Sequence, residues 1–281
     1  MKLLDKIFLF CTAILFIPIH VSAQNNVNWK KVKVLVYMKN GKGYVHDNIP
    51  SAVKCLQKMG KEHGFAVDTS ADPSVMTEAN LKQYTMLIFP STNNDVFDTD
   101  KERLAFRHYI EAGGGFVGIH SVTGTERNWK WFKMMLGCTF AWHAKFQKFT
   151  ERVIEPSHPS VQGVPKVWEK EDECYFGKEL YPGRVVVMAH DITTLNTSDS
   201  SQKKMIEKNA GGYTELYPAV WYNEFDGGHT WCTVLGHDKK DYEDAVYVNH
   251  IFGGIRFVAS EAKKIDYSKA YAESRDTPLR Y

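Results

Sequence analysis

The chain has 281 residues, 43% of them hydrophobic and 24% charged, and a formal net charge of +2. That length holds one large α/β domain with a sizeable core. A balance so close to neutral leaves no electrostatic footprint for nucleic acid or for an acidic membrane surface as partner.

The first 23 residues read as a secretory signal. Lys2 and Lys6 precede the apolar run IFLFCTAILFIPIHV, and Val21 and Ala23 place small residues three and one before a cut. The run is short for a membrane span, which needs about 20 apolar residues. Cleavage after residue 23 predicts a periplasmic or secreted protein with no membrane attachment. Export implies an oxidising compartment. The mature chain keeps Cys55, Cys138, Cys174 and Cys232, widely spaced and without a CxxC pair. Four cysteines allow three pairings, but a core this large needs no staples, so buried thiols are expected.

Val32–Met38 is an apolar run of the length and kind that suits a central parallel strand. A loop at Asn40–Gly43 follows, then a helix capped by Asp47 or Asn48, with Ile49, Ala52, Val53, Leu56 and Met59 at helical spacing. Gly60 or Gly64 ends it. FAVDTS is a second strand, TEANLKQ a short helix and Tyr84–Thr92 a third strand. Thr99 and Glu102 form a capping box for a helix running to Ala112, stopped by Gly113. GFVGIHS is the fourth strand.

Such alternation predicts a parallel sheet with right-handed crossovers and a ligand site beyond the strands' carboxyl ends. Those ends are Met38–Tyr44, Pro90–Asn94 and His120–Thr125.

The second half reads differently. Asn128–Gly137 is helical, and alternating β segments follow on either side of the turn at Ser157-His158-Pro159. RVVVMAH (Arg184–His190) is apolar enough to return to the main sheet. AVWYNEF and HTWCTVLGH, joined by Gly227-Gly228, predict a hairpin. VNHIFGGIRFVA predicts a helix. The domain spans residues 30–259. A charged, tyrosine-rich tail over 260–281 either wraps the domain or meets a second subunit in a homodimer.

The stretch GGGFVGIHSVTG has the form of a nucleophile elbow, a sharp turn that projects one side chain from a strand's end. The residue on it is His120. Imidazole suits proton transfer or metal ligation better than attack on an amide. His237, at the tip of WCTVLGH, and His46, in the first strand's loop, are further imidazoles at strand ends. His143 lies in TFAWHAKF beside Trp142, and Glu173 belongs to the carboxylate pair Asp172-Glu173 two residues before Tyr175. Glu171 and Lys170 read as solvated, and His229 as a surface turn residue. Ser121 offers a hydroxyl. Three imidazoles with a carboxylate suit a divalent ion that polarises a carbonyl, and His120, His143 and His237 are the metal-ligand candidates, although no HExxH-type spacing is present.

GGGFVGIHS, LGCTFAWH, VIEPSHPSVQGVP, DECYF, PAVWYNEFDGGHTWCTVLGHD and HIFGGIRFVA, in that order, resemble the ThuA-like (trehalose-utilisation) family. The resemblance covers roughly Lys31 to Ala259. It implies a class I glutamine amidotransferase-like, flavodoxin-like three-layer α/β sandwich with a mainly parallel central sheet and β-hairpin additions. It also implies that His120 stands where amidotransferases carry their cysteine, so glutaminase activity is not expected. The family is associated with breakdown of trehalose and related disaccharides beside oxidoreductases that make 3-keto-sugars.

The resemblance implies His120, Ser121, His143, His158, Glu173 and His237 as pocket members, and together with the reading of the residues above the expected catalytic residues are His120, His237 and Glu173. The expected substrate-binding residues are His46, Ser121, Trp142, His143, His158 and Tyr175, and the expected ligand is a small sugar. The reaction expected is isomerisation or elimination by acid–base chemistry, assisted by a divalent metal ion. A non-catalytic carbohydrate-binding protein and a hydrolase using Ser121 or a cysteine (Cys138 or Cys174) are the alternatives.

Overall fold

The computed structural model describes residues 27–280, so the expected signal at 1–23 lies outside the described residues. β1 (Lys33–Tyr37) leads through α1 (Ile49–His63) to β2 (Ala66–Ser70). The short α2 (Glu78–Leu81) precedes β3 (Met86–Pro90), and α3 (Asp100–Glu111) precedes β4 (Gly115–Ile119). The α3 capping box forms as its sequence predicts: Glu102 N–H donates to Thr99 Oγ1, and Thr99 N–H donates to the Glu102 carboxylate.

α4 (Lys130–Leu136) ends at Gly137, at φ 88°. Five strands follow: β5 (Thr139–His143), β6 (Gln147–Val153), β7 (Val167–Asp172), β8 (Tyr175–Lys178) and β9 (Val185–Asp191). Then come α5 (Ser200–Ala210), β10 (Leu216–Phe225), β11 (Gly228–Thr233) and α6 (Ala245–Glu261).

Nine strands form one sheet in the order β2-β1-β3-β4-β11-β10-β9-β6-β7. The first five are mutually parallel, and from β11 onward each neighbour is antiparallel. β9 joins this sheet, and β10 and β11 form the expected hairpin. β5 and β8 pair separately in a two-stranded ribbon. Alternate residues of β4 explain the three layers. Phe116 faces α3 and α4, packing on Phe106 and Phe132 at centroid distances of 5.9 and 6.1 Å. Gly115 faces the other way, where a Cβ would meet Val258 of α6. α1 lies on the α6 side, since His63 stacks on Phe252 at 3.7 Å.

Among the described residues, no helix is long and apolar enough to cross a membrane. Cys55, Cys138, Cys174 and Cys232 are all free and buried.

Several local expectations need correction. Asn48 does not cap α1 with its side chain. α5 was not expected, because it buries only Gln202, Ile206 and Ala210 and is otherwise polar. Asp199 caps it, accepting from the Ser201 and Gln202 N–H groups. Lys170 is buried rather than solvated, between Asp172 and Asp241. His229 is buried inside β11 rather than lying on a surface turn.

The tail wraps its own domain. Arg107 and Glu111, both buried on α3, pair at 2.8 Å. Arg107 donates to the Arg275 and Thr277 carbonyls, and Glu111 accepts from the Tyr271 and Ala272 N–H groups. Removing one member of a buried ion pair leaves the other charge uncompensated, at about 3–5 kcal/mol. Arg107→Ala should therefore lose about that much stability in urea unfolding and expose the tail to limited proteolysis. A loss under about 1 kcal/mol with an intact, protected tail would show that the clamp is not what holds it.

Candidate active site

β4 ends where the elbow was expected. His120 has φ 55°, in the left-handed region that costs a non-glycine residue roughly 1–3 kcal/mol. The strained turn carries its ring into a crevice at the carboxyl rim of the parallel strands, where the ring is fully buried. Its Nδ1 lies 3.1 Å from the Val234 carbonyl. A carbonyl only accepts, so Nδ1 carries the proton and Nε2 presents a bare lone pair.

His46 is fixed in the same way. Ser121 Oγ lies 3.2 Å from the Thr92 carbonyl and 3.1 Å from His46 Nδ1. The single hydroxyl proton goes to the carbonyl, so His46 Nδ1–H donates to Oγ and its Nε2 is also bare. Ser121, expected to bind substrate, lines the cavity beside the cluster and also orients His46.

His237 follows Gly236, and the loop between β11 and α6 is tied from two sides. Asp172 accepts from Gly236 N–H at 2.8 Å, His237 N–H at 3.2 Å and Glu173 N–H at 2.8 Å. Asn48, the residue that fails to cap α1, donates through Nδ2 to the Gly236 and His237 carbonyls at 2.8 and 3.1 Å. Gly236 has φ 107°, and a Cβ there would collide with the Tyr247 hydroxyl, so no other residue fits the turn. The same anchor therefore positions both His237 and Glu173.

The result is a tight cluster. One ligand-type atom each from His46, His120, Glu173 and His237 lies within 4.8 Å of the others. His120 Nε2 and His237 Nδ1 are 3.2 Å apart, and Glu173 Oε2 is 3.0 Å from His237 Nδ1 and 3.9 Å from His120 Nε2. Four ligands on a tetrahedral ion with bonds near 2.0–2.2 Å stand roughly 3.3 Å apart. The Tyr175 hydroxyl, 3.2 Å away, donates to His120 Nε2.

The electrostatics favour the unprotonated form at His46 and His120 and the protonated form at His237. Burial, reinforced by the neighbouring imidazoles, lowers His46 to about 3, and burial lowers His120 to about 4. His237 is raised above its ordinary value by its hydrogen bond to Glu173. Burial opposes ionisation of Glu173, yet His237 and the flanking imidazoles hold it below the usual carboxylate range.

A cavity of about 420 Å³ opens onto the cluster. His143, Phe140, Tyr44, Asn93 and Arg127 complete its walls. His143 stands one step outside the cluster, half-exposed, with Nδ1 3.0 Å from the Ala144 carbonyl and 3.3 Å from Glu173 Oε1. The ligand-type set thus contains His46 where the sequence pointed to His143. Trp142 stacks on Phe176 and does not line the cavity. His158 is not in the site either: it is buried against Tyr222 and Phe257 and holds the turn through Ser160.

Cys138 is pushed up to about 11 and Cys174 well above its ordinary value, both by burial, so neither is a ready thiolate. Sequence reasoning missed Asn48, Lys170, Asn93 and Arg127. The TNN run at the end of β3 was the one available signal, for Asn93 alone.

Residues 33–258 match the model of the ThuA family, described as trehalose utilisation. The chain belongs to the ThuA family. Among solved structures, this ThuA chain is similar to a ThuA-like protein from Bacteroides uniformis ATCC 8492, with a TM-score of 0.66 and 22% identity over 86% of this chain and 97% of that one. A ThuA-like protein from Parabacteroides merdae ATCC 43184 matches with a TM-score of 0.58 and 17% identity, over 81% and 90% of the two chains. A cytoplasmic protein from Salmonella typhimurium matches at 0.52 and 13%, over 81% and 99%. These likenesses show the glutamine amidotransferase-like α/β fold. No curated protein matches the chain.

In the metal-free protein, His46 and His120 should be neutral at pH 5, while imidazoles in the unfolded chain titrate near 6.5. Unfolding then takes up protons, so these rings lower stability as the pH falls from 6.5 towards 4, by up to about 1.4 kcal/mol per pH unit each. Imidazole 15N shifts at pH 5 should show neutral rings at 46 and 120 beside a protonated His237. Three rings titrating together near pH 6.5 would contradict this arrangement.

Proposed function

We propose that the protein is a divalent-metal enzyme that moves a proton beside the carbonyl of a keto-sugar, acting outside the cytoplasm after loss of residues 1–23. The observation that carries this reading is the convergence of three imidazoles and one carboxylate, of which His46, His237 and Glu173 line a cavity and His120 lies buried behind them. His46 and His120 through Nε2, His237 through Nδ1 and Glu173 through Oε2 would hold the ion. Mixed nitrogen and oxygen donors suit a first-row divalent metal. Such an ion supplies polarisation of a carbonyl oxygen.

The protein's own residues supply the rest. His143 is the base. Its Nδ1–H faces the Ala144 carbonyl and Glu173 Oε1, which leaves Nε2 to take a proton from the carbon beside the carbonyl. Returning that proton to the former carbonyl carbon, while the adjacent hydroxyl's proton passes to the former carbonyl oxygen, gives the isomeric keto-sugar. Departure of the glycosidic oxygen from the next carbon, with uptake of a proton, gives an enone and the free partner alcohol. Tyr44 and Phe146, both exposed, flank the mouth at 4.8 Å from His46 and 5.7 Å from His237, and offer flat faces to a second sugar ring. The family's description, trehalose utilisation, favours a disaccharide-derived substrate.

The hydrolase alternative loses support, because Ser121 is committed to Thr92 and His46 and the thiols are buried. A non-catalytic sugar-binding protein remains the competing reading.

The protein loaded with zinc or manganese and given a 3-keto-disaccharide in D2O should place deuterium beside the carbonyl or release the partner sugar, followed by NMR. Chelator or His120→Ala should abolish this, and His143→Ala should slow it by about 10²–10⁴-fold. Saturable sugar binding without turnover under any metal condition would overturn the enzyme and leave the binding protein.

A further inference from the structure

Arg127 lines the same cavity as His46, His237 and Glu173, and its charge has no carboxylate partner among the described residues. Among the described residues, no carboxylate oxygen lies within 4.0 Å of its guanidinium. Its neighbour Glu126 has φ 48° and turns inward, where it pairs with Arg103 at 2.7 Å. Arg127 is thereby left facing outward.

The guanidinium is nevertheless held firmly, by neutral groups only. Nε donates to the Gly124 carbonyl at 2.9 Å and Nη2 donates to Asn93 Oδ1 at 3.1 Å. The plane lies over the Phe140 ring at 5.3 Å. Gly124 belongs to this arrangement, since a Cβ there would collide with Asn93 Oδ1 and crowd Arg127 Nη2. Both fixed protons lie along one side of the fork. Nη1 has no hydrogen-bond partner among the described residues, so the end of the fork is free.

A cation oriented by neutral groups and left with an open planar edge is a receptor for a planar oxyanion, which it binds through two parallel hydrogen bonds. Among the described residues, Glu173 is the one carboxylate that lines the cavity, and it is already engaged by His237 and His143. Phe140 sits between the guanidinium and Tyr175, 4.9 Å from the Tyr175 ring, and Tyr175 touches His120. The anion site and the imidazole cluster are thus separated by an aromatic ring rather than merged.

We propose that the substrate of this site is an acidic sugar, with a ring carboxylate seated on Arg127 while its reacting carbon faces the imidazole cluster. The proposal rests on the keto-sugar reading above and narrows it from neutral disaccharides to uronate-containing ones.

Calorimetric titration of the full, zinc-supplied chain with D-glucuronate and with its neutral methyl ester tests it. The wild type should bind the acid at least about tenfold more tightly than the ester. Arg127→Met should bring that ratio to about one, and Arg127→Lys should keep part of it, because charge is retained and the fork is lost. Circular dichroism and melting temperature confirm that both variants fold. Equal binding of acid and ester by the wild type would overturn the proposal and leave the sugar site standing. A preference that survives Arg127→Met would put the carboxylate on the imidazole cluster and overturn the assignment to Arg127. If neither compound binds, this proposal and the sugar reading fall together.

Discussion

Asp172 is fully buried, and burial alone would keep its carboxyl neutral. Lys170, 3.2 Å away and itself buried, holds it ionised, helped by the N–H groups of Gly236 and Glu173. Asp241 accepts from Lys170 at 2.5 Å and completes the group. Two members of the imidazole–carboxylate cluster, Glu173 and His237, depend on that buried charge. It fixes the backbone of Glu173 at the end of β7 and of His237 beyond β11, two segments distant in sequence. With a neutral side chain at 172, Lys170 would be buried beside Asp241 alone, and the loop carrying His237 would lose its carboxylate anchor and keep its ties to Asn48, Tyr242 and Tyr247.

The fold contributes a rim and the loops contribute the chemistry. Parallel strands β1, β3 and β4 all end on one edge of the sheet, and the loops there deliver His46, Asn93 and His120. The fifth parallel strand, β11, leads into the loop that carries His237, while Glu173 and Tyr175 come from the end of β7 and the start of β8. Burial then sets the charge state. Rings packed at 4.8 to 5.8 Å would repel one another if charged, and desolvation keeps two of the three neutral. Ligands that are already unprotonated bind a cation without first releasing protons.

Much of this was legible in the sequence because it follows local rules. Apolar runs of strand length, the Thr99–Glu102 capping box and the glycine stops give the alternating half of the fold. The elbow at His120 was legible because a polar ring at the end of a buried strand is costly to desolvate, which singles the residue out. What was not legible is what depends on pairing across the chain. Asn48 reads as a helix cap by local chemistry, and only the approach of Gly236, distant in sequence, turns it into a loop clamp. Lys170 reads as solvated in a charged strand until Asp241 is brought beside it. His158 sits in VIEPSHPSVQGVP, one of the stretches that carry the family resemblance, yet it faces Tyr222 and Phe257, a choice set by side-chain direction alone. His143 and His46 exchanged places in the ligand set for the same reason.

The proposed chemistry requires the imidazoles at 46, 120 and 237 and the carboxylate at 173 to act together on one ion. X-ray absorption of the metal-loaded, dialysed protein measures this directly. One ion per chain is expected, with nitrogen and oxygen neighbours at about 2.0–2.2 Å and the outer-shell scattering of three imidazoles. Failure to retain an ion, or a shell without imidazole, would rule out a shared metal at this cluster.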